Sequence, residues 1–257
     1  MSRIQFENRT GTRLTGNLHQ PDGNRIKSCA LFAHCFTCGR DIRAAREITA
    51  RLAEAGYAVL RFDFTGLGES DGDFSDTHFS SNLDDLEDAA RWLGSELAPP
   101  QLLVGHSLGG AACLAVAERL DSVRAVATIG APSTPDNVIG HFDERLDEIM
   151  TEGSAEVTLA GRRFRIRRDF IEDAREHDLD ERIRRLERSL LVMHSPVDEV
   201  VSIDHAQRIF TAARHPRSFV SLDNADHLLT RPADAHWVAA MIAAWAERFV
   251  DDGSQEV

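Results

Sequence analysis

The sequence has one lysine, Lys27, four cysteines, and no long apolar run. Each scarcity excludes something. No stretch approaches the roughly 18 uninterrupted apolar residues of a membrane-spanning helix. The opening MSRIQFENRTGTRLTG lacks the apolar segment of a secretory signal. The expectation is therefore a cytoplasmic, reduced protein. Four cysteines in 257 residues are too sparse for a disulfide scaffold, and a reducing compartment would leave them as thiols. Almost all positive charge is arginine, and 29 basic against 42 acidic residues give a net charge of -13. Such a surface repels phosphate on average, which argues against nucleic acid and anionic membranes as partners. Internal repeats and low-complexity segments are absent as well.

What is present is an alternation. RIQFEN and RLTGNLHQ flank RTGT as a hairpin with period-2 patterning. SCALFAHCF, YAVLRFDF, QLLVGHS, VRAVATIGAP, SLLVMHSP and SFVSLDNA are short, nearly continuous apolar runs, as strands covered on both faces require. Between them lie segments with helical spacing, among them RDIRAAREITARLAEAG, NLDDLEDAARWLGSEL with Asn82 as an expected N-cap, and ADAHWVAAMIAAWAERFV. Strand and helix in repeated succession predict an α/β protein with a mostly parallel sheet and helices on both faces. In such sheets, ligands bind outside the carboxyl ends of the strands.

One stretch breaks the rhythm. Between Pro132 and Ser189 come an amphipathic HFDERLDEIMTEG, a hairpin EVTLAGRRFRI and a polar helix around DFIEDAREHDLDERIRRLE, with no buried strand. The division expected is a core in two parts, residues 1–134 and 189–250, a cap insertion at 135–188 over the sheet's carboxyl edge, and a disordered tail at 251–257.

Gly105-His106-Ser107-Leu108-Gly109 is G-x-S-x-G between an apolar strand and an alanine-rich helix. That context makes Ser107 a candidate nucleophile on a strained turn, where flanking glycines let strand and helix backbones approach. A serine hydroxyl needs a base within reach and a carboxylate to orient that base. Asp198 follows the next-to-last strand in HSPVDEVV, and His227 follows the last in LDNADHLL. The chain order Ser, Asp, His suits this architecture. Glu199 is the competing acid. His34, His106 and His194 also fall at strand ends and are expected to be hydrogen-bonded pocket or core residues.

Cys35-Phe36-Thr37-Cys38 follows the strand that opens the parallel run. Redox chemistry of this C-x-x-C would need a thioredoxin-like context that is only partly met, and no second C-x-x-C or C-x-x-H completes a zinc site. The loop has a sufficient role through its backbone: the N–H of Phe36, with that of Leu108, is placed to form an oxyanion hole. DFTGLGESDG lacks the Walker lysine and the dinucleotide register, and reads as a structural turn in which Asp63 braces backbone amides.

Together HCFTCGR, DFTGLGESDG, GHSLGG, SPVDEVV and ADHLL resemble the α/β-hydrolase superfamily over nearly the whole chain. More narrowly they resemble the hydrolase half of bacterial proteins fused to an OsmC-like domain, which is absent from this chain. The resemblance implies the α/β-hydrolase fold, with a mostly parallel eight-stranded sheet. It implies a serine esterase acting on small-molecule carboxylic esters of short to medium acyl chain, with Ser107, Asp198 and His227 as triad, Phe36 and Leu108 as oxyanion donors, and neither cofactor nor metal. The alternatives are a thioesterase or peptidase-like acyl hydrolase, or a non-catalytic binding module on the same fold.

Overall fold

In the computed structural model, residues 1–23, 25–159 and 161–250 are described; the expected tail at 251–257 lies outside them. The chain begins with the hairpin β1 (Ser2–Glu7) and β2 (Arg13–His19), antiparallel to each other. Then come β3 (Ser28–Ala33), α1 (Arg43–Glu54), β4 (Tyr57–Phe62), α2 (Phe79–Glu96), β5 (Leu102–His106), α3 (Leu108–Val116) and β6 (Ala125–Ile129). After a long insertion, β9 (Ser189–His194), α7 (Ile203–Ala212), β10 (Arg217–Ser221) and α8 (Pro232–Ala246) complete the core. The insertion holds a 3-10 segment (Pro135–Arg145), α4 (Leu146–Glu152), the hairpin β7 (Ser154–Leu159) and β8 (Arg162–Arg167), α5 (Arg168–Glu176) and α6 (Leu179–Arg185).

The large sheet has eight strands in the order β1-β2-β4-β3-β5-β6-β9-β10, parallel except where β2 meets β1 and β4. This is the mostly parallel sheet the alternation predicts. Its central strands β3, β4, β5, β6 and β9 are buried at every position and mostly apolar because both faces are covered. Leu31, Leu60, Leu103 and Val126 pack toward α2, α3 and the insertion, whereas Phe32, Val59, Val104 and Ala127 pack toward α1 and α8. Among the described residues no helix is long and apolar enough to cross a membrane.

Two local expectations are corrected. Helix α2 starts at Phe79 rather than after Asn82, because His78 acts as N-cap: its Nδ1 accepts from the Ser81 N–H at 3.1 Å, and the Ser81 hydroxyl accepts from the His78 N–H at 3.0 Å. The single polar helix expected around DFIEDAREHDLDERIRRLE is two, α5 and α6. They part at His177 and Asp178, where the Asp178 carboxylate accepts the Glu181 N–H at 2.9 Å and starts a new helix.

Candidate active site

Strand β5 runs directly into Ser107, and α3 starts with the next residue. The turn between them is as tight as the backbone allows. A Cβ on Gly105 would lie 2.4 Å from the Gly109 carbonyl oxygen, and one on Gly109 would lie 2.4 Å from those of Ala33 and His34. Only glycine fits either position. Ser107 itself is forced into φ 55°, ψ −129°, a conformation a side chain rarely adopts, which costs on the order of 1–3 kcal/mol. It is held there by its own N–H donating to the Ile129 carbonyl at 2.9 Å and by the Gly110 N–H donating to the Ser107 carbonyl at 2.8 Å.

The loops after β9 and β10 bring the other two residues to this serine. His227 Nδ1 donates to Asp198 Oδ2 at 2.7 Å, and the Ser107 hydroxyl donates to His227 Nε2 at 3.0 Å. Because a carboxylate only accepts, the proton on Nδ1 leaves Nε2 with its lone pair toward Ser107. Asp198 Oδ1 accepts from the N–H groups of Val200 and Val201, both at 2.9 Å. Burial pushes the Asp198 pKa up, but the His227 hydrogen bond and these amides outweigh it, and the net shift is downward. Glu199, the competing acid, is exposed and makes no such bond.

Two residues foreseen as pocket histidines brace the same loops. His106 Nε2 donates to the His227 carbonyl at 2.7 Å, and His194 Nε2 donates to the Val201 carbonyl at 2.8 Å. Burial, aided by the neighbouring His227, lowers the His106 pKa to about 4, so its ring stays neutral. One residue escaped sequence reasoning. Gly130, at φ +55°, turns the chain after β6, and a Cβ there would sit 3.3 Å from both Asp198 Oδ2 and His227 Nδ1. The glycine ending the β6 run was its only signal.

Phe36 and Leu108 meet from opposite sides. With His34, Gly109, Phe64 and Phe74, they line a cavity of about 10 Å³, room for roughly one water molecule. His34, two residues before Phe36, donates from Nδ1 to the Cys35 carbonyl at 2.9 Å and is kept neutral chiefly by burial. The expectation of free thiols fails here: Cys35 and Cys38 form a disulfide. The Cys38 N–H donates to the Cys35 carbonyl at 3.2 Å, and this turn sets the two Cα atoms 5.3 Å apart, within bridging distance. Cys29 and Cys113 are free and buried.

Beyond Cys38 the loop is fixed by a buried ion pair. Asp63 accepts the Arg40 N–H at 2.6 Å and also its guanidinium, and it accepts the Glu69 N–H at 3.0 Å. Asp63 thus braces amides as expected, but it reaches across to the neighbouring strand's loop as well. Removing one partner of such a pair typically costs about 3–5 kcal/mol.

The insertion touches all of this. Phe36 packs on Phe74 and on Phe170 of α5, with ring centroids 5.7 and 5.5 Å apart, and Phe74 packs on Phe164 of β8 at 4.9 Å. Arg162 donates to the Thr37 carbonyl at 3.4 Å. His141, in the 3-10 segment, has its pKa lowered chiefly by burial. Asp173 of α5 fastens the insertion to α2, accepting the Ser80 N–H at 2.9 Å and its hydroxyl at 2.5 Å.

The esterase domain of a Rhodothermus marinus protein has 45% sequence identity and a TM-score of 0.79, covering 96% of this chain and 98% of that one. The mitochondrial palmitoyl-protein thioesterase ABHD10 of Mus musculus is 30% identical over 202 residues, which are 73% of this chain and 64% of that protein. This chain therefore spans less than two thirds of that relative's length. The solved α/β hydrolase domain-containing protein 10 from mouse shares the fold at 22% identity, with a TM-score of 0.77 over 96% of this chain and 99% of that one. The family model described as "Alpha/beta hydrolase family" matches residues 30–253, and the chain belongs to that family.

Proposed function

We propose that the protein is a serine hydrolase that cleaves carboxylic esters through an acyl-enzyme. The observation that carries this reading is the unbroken hydrogen-bonded series Asp198, His227, Ser107, with the serine on a strained elbow. Ser107 Oγ attacks the ester carbonyl while His227 Nε2 takes its proton. Asp198, holding Nδ1–H, fixes the ring and stabilises its charged form. The N–H groups of Phe36 and Leu108 receive the oxyanion, each donor being worth roughly 2.7–4 kcal/mol in the transition state. His227 then returns the proton to the leaving alcohol and activates the water that releases the acid.

The insertion acts as a cap over this site, and residues 1–134 with 189–250 act as the catalytic core. Phe74 and Phe170 pack on Phe36, Phe164 packs on Phe74, and the cavity between Phe36, Phe74 and Leu108 is about 10 Å³. So small a space admits an acyl group only if these phenylalanines move, and the movement needed grows with chain length, which favours short acyl groups. A thioester substrate is the second reading, supported by the 30% identity to a palmitoyl-protein thioesterase. Hydrolysis of matched p-nitrophenyl esters and acyl thioesters from two to sixteen carbons separates the two. Turnover greatest on short oxygen esters is expected; preference for long-chain thioesters at equal chain length overturns the ester reading.

A further inference from the structure

We infer that Cys35 and Cys38 are a thiol-disulfide exchange site that sets the activity of Ser107, with a small or protein dithiol as its reductant. The inference rests on the proposed role of Phe36 as oxyanion donor.

The disulfide closes a ring around the residue whose N–H the chemistry needs. Two anchors hold the ends of this loop. The Cys35 carbonyl, in the same peptide unit as the Phe36 N–H, accepts from His34 Nδ1 at 2.9 Å, and beyond Cys38 the Arg40 N–H donates to buried Asp63 at 2.6 Å. Between them the Phe36 ring is packed on Phe74 and Phe170, but the backbone around Thr37 is held by longer bonds. Among the described residues the hydrogen bonds there are the 3.2 Å bond from the Cys38 N–H and the 3.4 Å bond from Arg162 to the Thr37 carbonyl. Thr37 also sits at φ 57°, in the left-handed region that a β-branched residue disfavours. Without the covalent closure Thr37 relaxes and the 3.2 Å bond from the Cys38 N–H goes with it, which leaves the peptide unit of the Phe36 N–H held by His34 alone.

The two sulfurs differ in access. Cys35 is 4% exposed, whereas Cys38 is partly open to solvent. A thiolate of the dithiol attacks Cys38 Sγ, the disulfide breaks, and Cys35 leaves as a thiolate that takes a proton from solvent. The second thiol of the reductant, deprotonated, then attacks the mixed disulfide on its own first sulfur and releases Cys38. Two electrons and two protons pass to the protein, and the reductant ends as a disulfide.

The test uses the whole chain, oxidised or treated with dithiothreitol under folding conditions. Thiols are counted by alkylation and mass spectrometry, and Ser107 reactivity is read as the rate of labelling by a fluorophosphonate, alongside p-nitrophenyl acetate turnover. The expected result is two new thiols at Cys35 and Cys38, with Cys29 and Cys113 unmodified because both are buried. Labelling and kcat should fall about tenfold, short of the roughly 10²–10³-fold loss of a whole oxyanion donor, and should recover on reoxidation. Cys35→Ser with Cys38→Ser should sit at the reduced rate and ignore the dithiol. A bond that resists dithiothreitol in the folded protein overturns the inference, and so do equal labelling rates in the two states. If acetate ester is not turned over in either state while labelling still falls on reduction, the exchange site stands and the ester reading fails.

Discussion

Replacing His106 by glutamine should flatten the acid limb of the protein's stability. The ring is 1% exposed, its Nε2 proton is committed to the His227 carbonyl, and its Nδ1 has no partner among the described residues. Protonating it means placing a second proton on that buried nitrogen, so its pKa falls from 6.5 to about 4 on folding. The unfolded chain then binds more protons than the native one between those values, and stability rises with pH across that window. Integrated for this one group, native stability at pH 5 is lower than at pH 7 by about 2 kcal/mol, and at pH 4 by about 3 kcal/mol. Glutamine can keep a donor toward the His227 carbonyl but has no proton to gain. Urea unfolding of the two proteins at pH 7, 5 and 4 gives the difference directly. The wild type should lose about 2 kcal/mol more than His106→Gln between pH 7 and 5. Parallel curves would refute the reasoning, since they would mean that His106 protonates in the native state as readily as in the unfolded one.

Asp198→Asn should cut kcat by roughly 10⁴-fold with little change in fold, because the amide orients His227 in the wrong tautomer; Glu199→Gln, by contrast, should stay within twofold. Gly109→Ala should lower both Tm and kcat, since its Cβ would strike two carbonyl oxygens at the end of β3; unchanged melting and turnover would show that this contact is not tight. Asp173→Ala removes the acceptor that ties α5 to α2. It should raise the rate at which a protease cuts within 135–188 while leaving the core intact, and an unchanged cleavage pattern would count against the insertion being fastened there.

The parts of this molecule that were legible in the sequence are those whose physical demand falls on consecutive residues. The elbow shows because Gly105 and Gly109 are both required by contacts of 2.4 Å, within a span of five residues. The sheet shows because strands covered on both faces are nearly continuous apolar runs, as in β3 and β5. Asp198 and His227 could be placed because strand order brings their loops to the same edge. What stayed hidden depends on partners far apart in the chain or on unusual local chemistry. Gly130 matters only once Asp198 and His227 lie against it. An imidazole capped α2, where a list of common caps favours Asn82. The Cys35–Cys38 bond was missed because thiol state was argued from compartment, whereas the turn itself brings the sulfurs together. The break between α5 and α6 was masked by a continuous polar pattern and revealed by the Asp178 cap.

The central claim is that Ser107, driven by His227, forms a covalent acyl-enzyme. Rapid mixing with p-nitrophenyl acetate, followed by acid quench and intact mass measurement, tests it most directly, with Ser107→Ala as the control. The account predicts a mass increase of one acetyl group that peptide mapping places on Ser107, and none in the alanine variant. Turnover that persists in Ser107→Ala, or an acetyl group found on another residue, would contradict it.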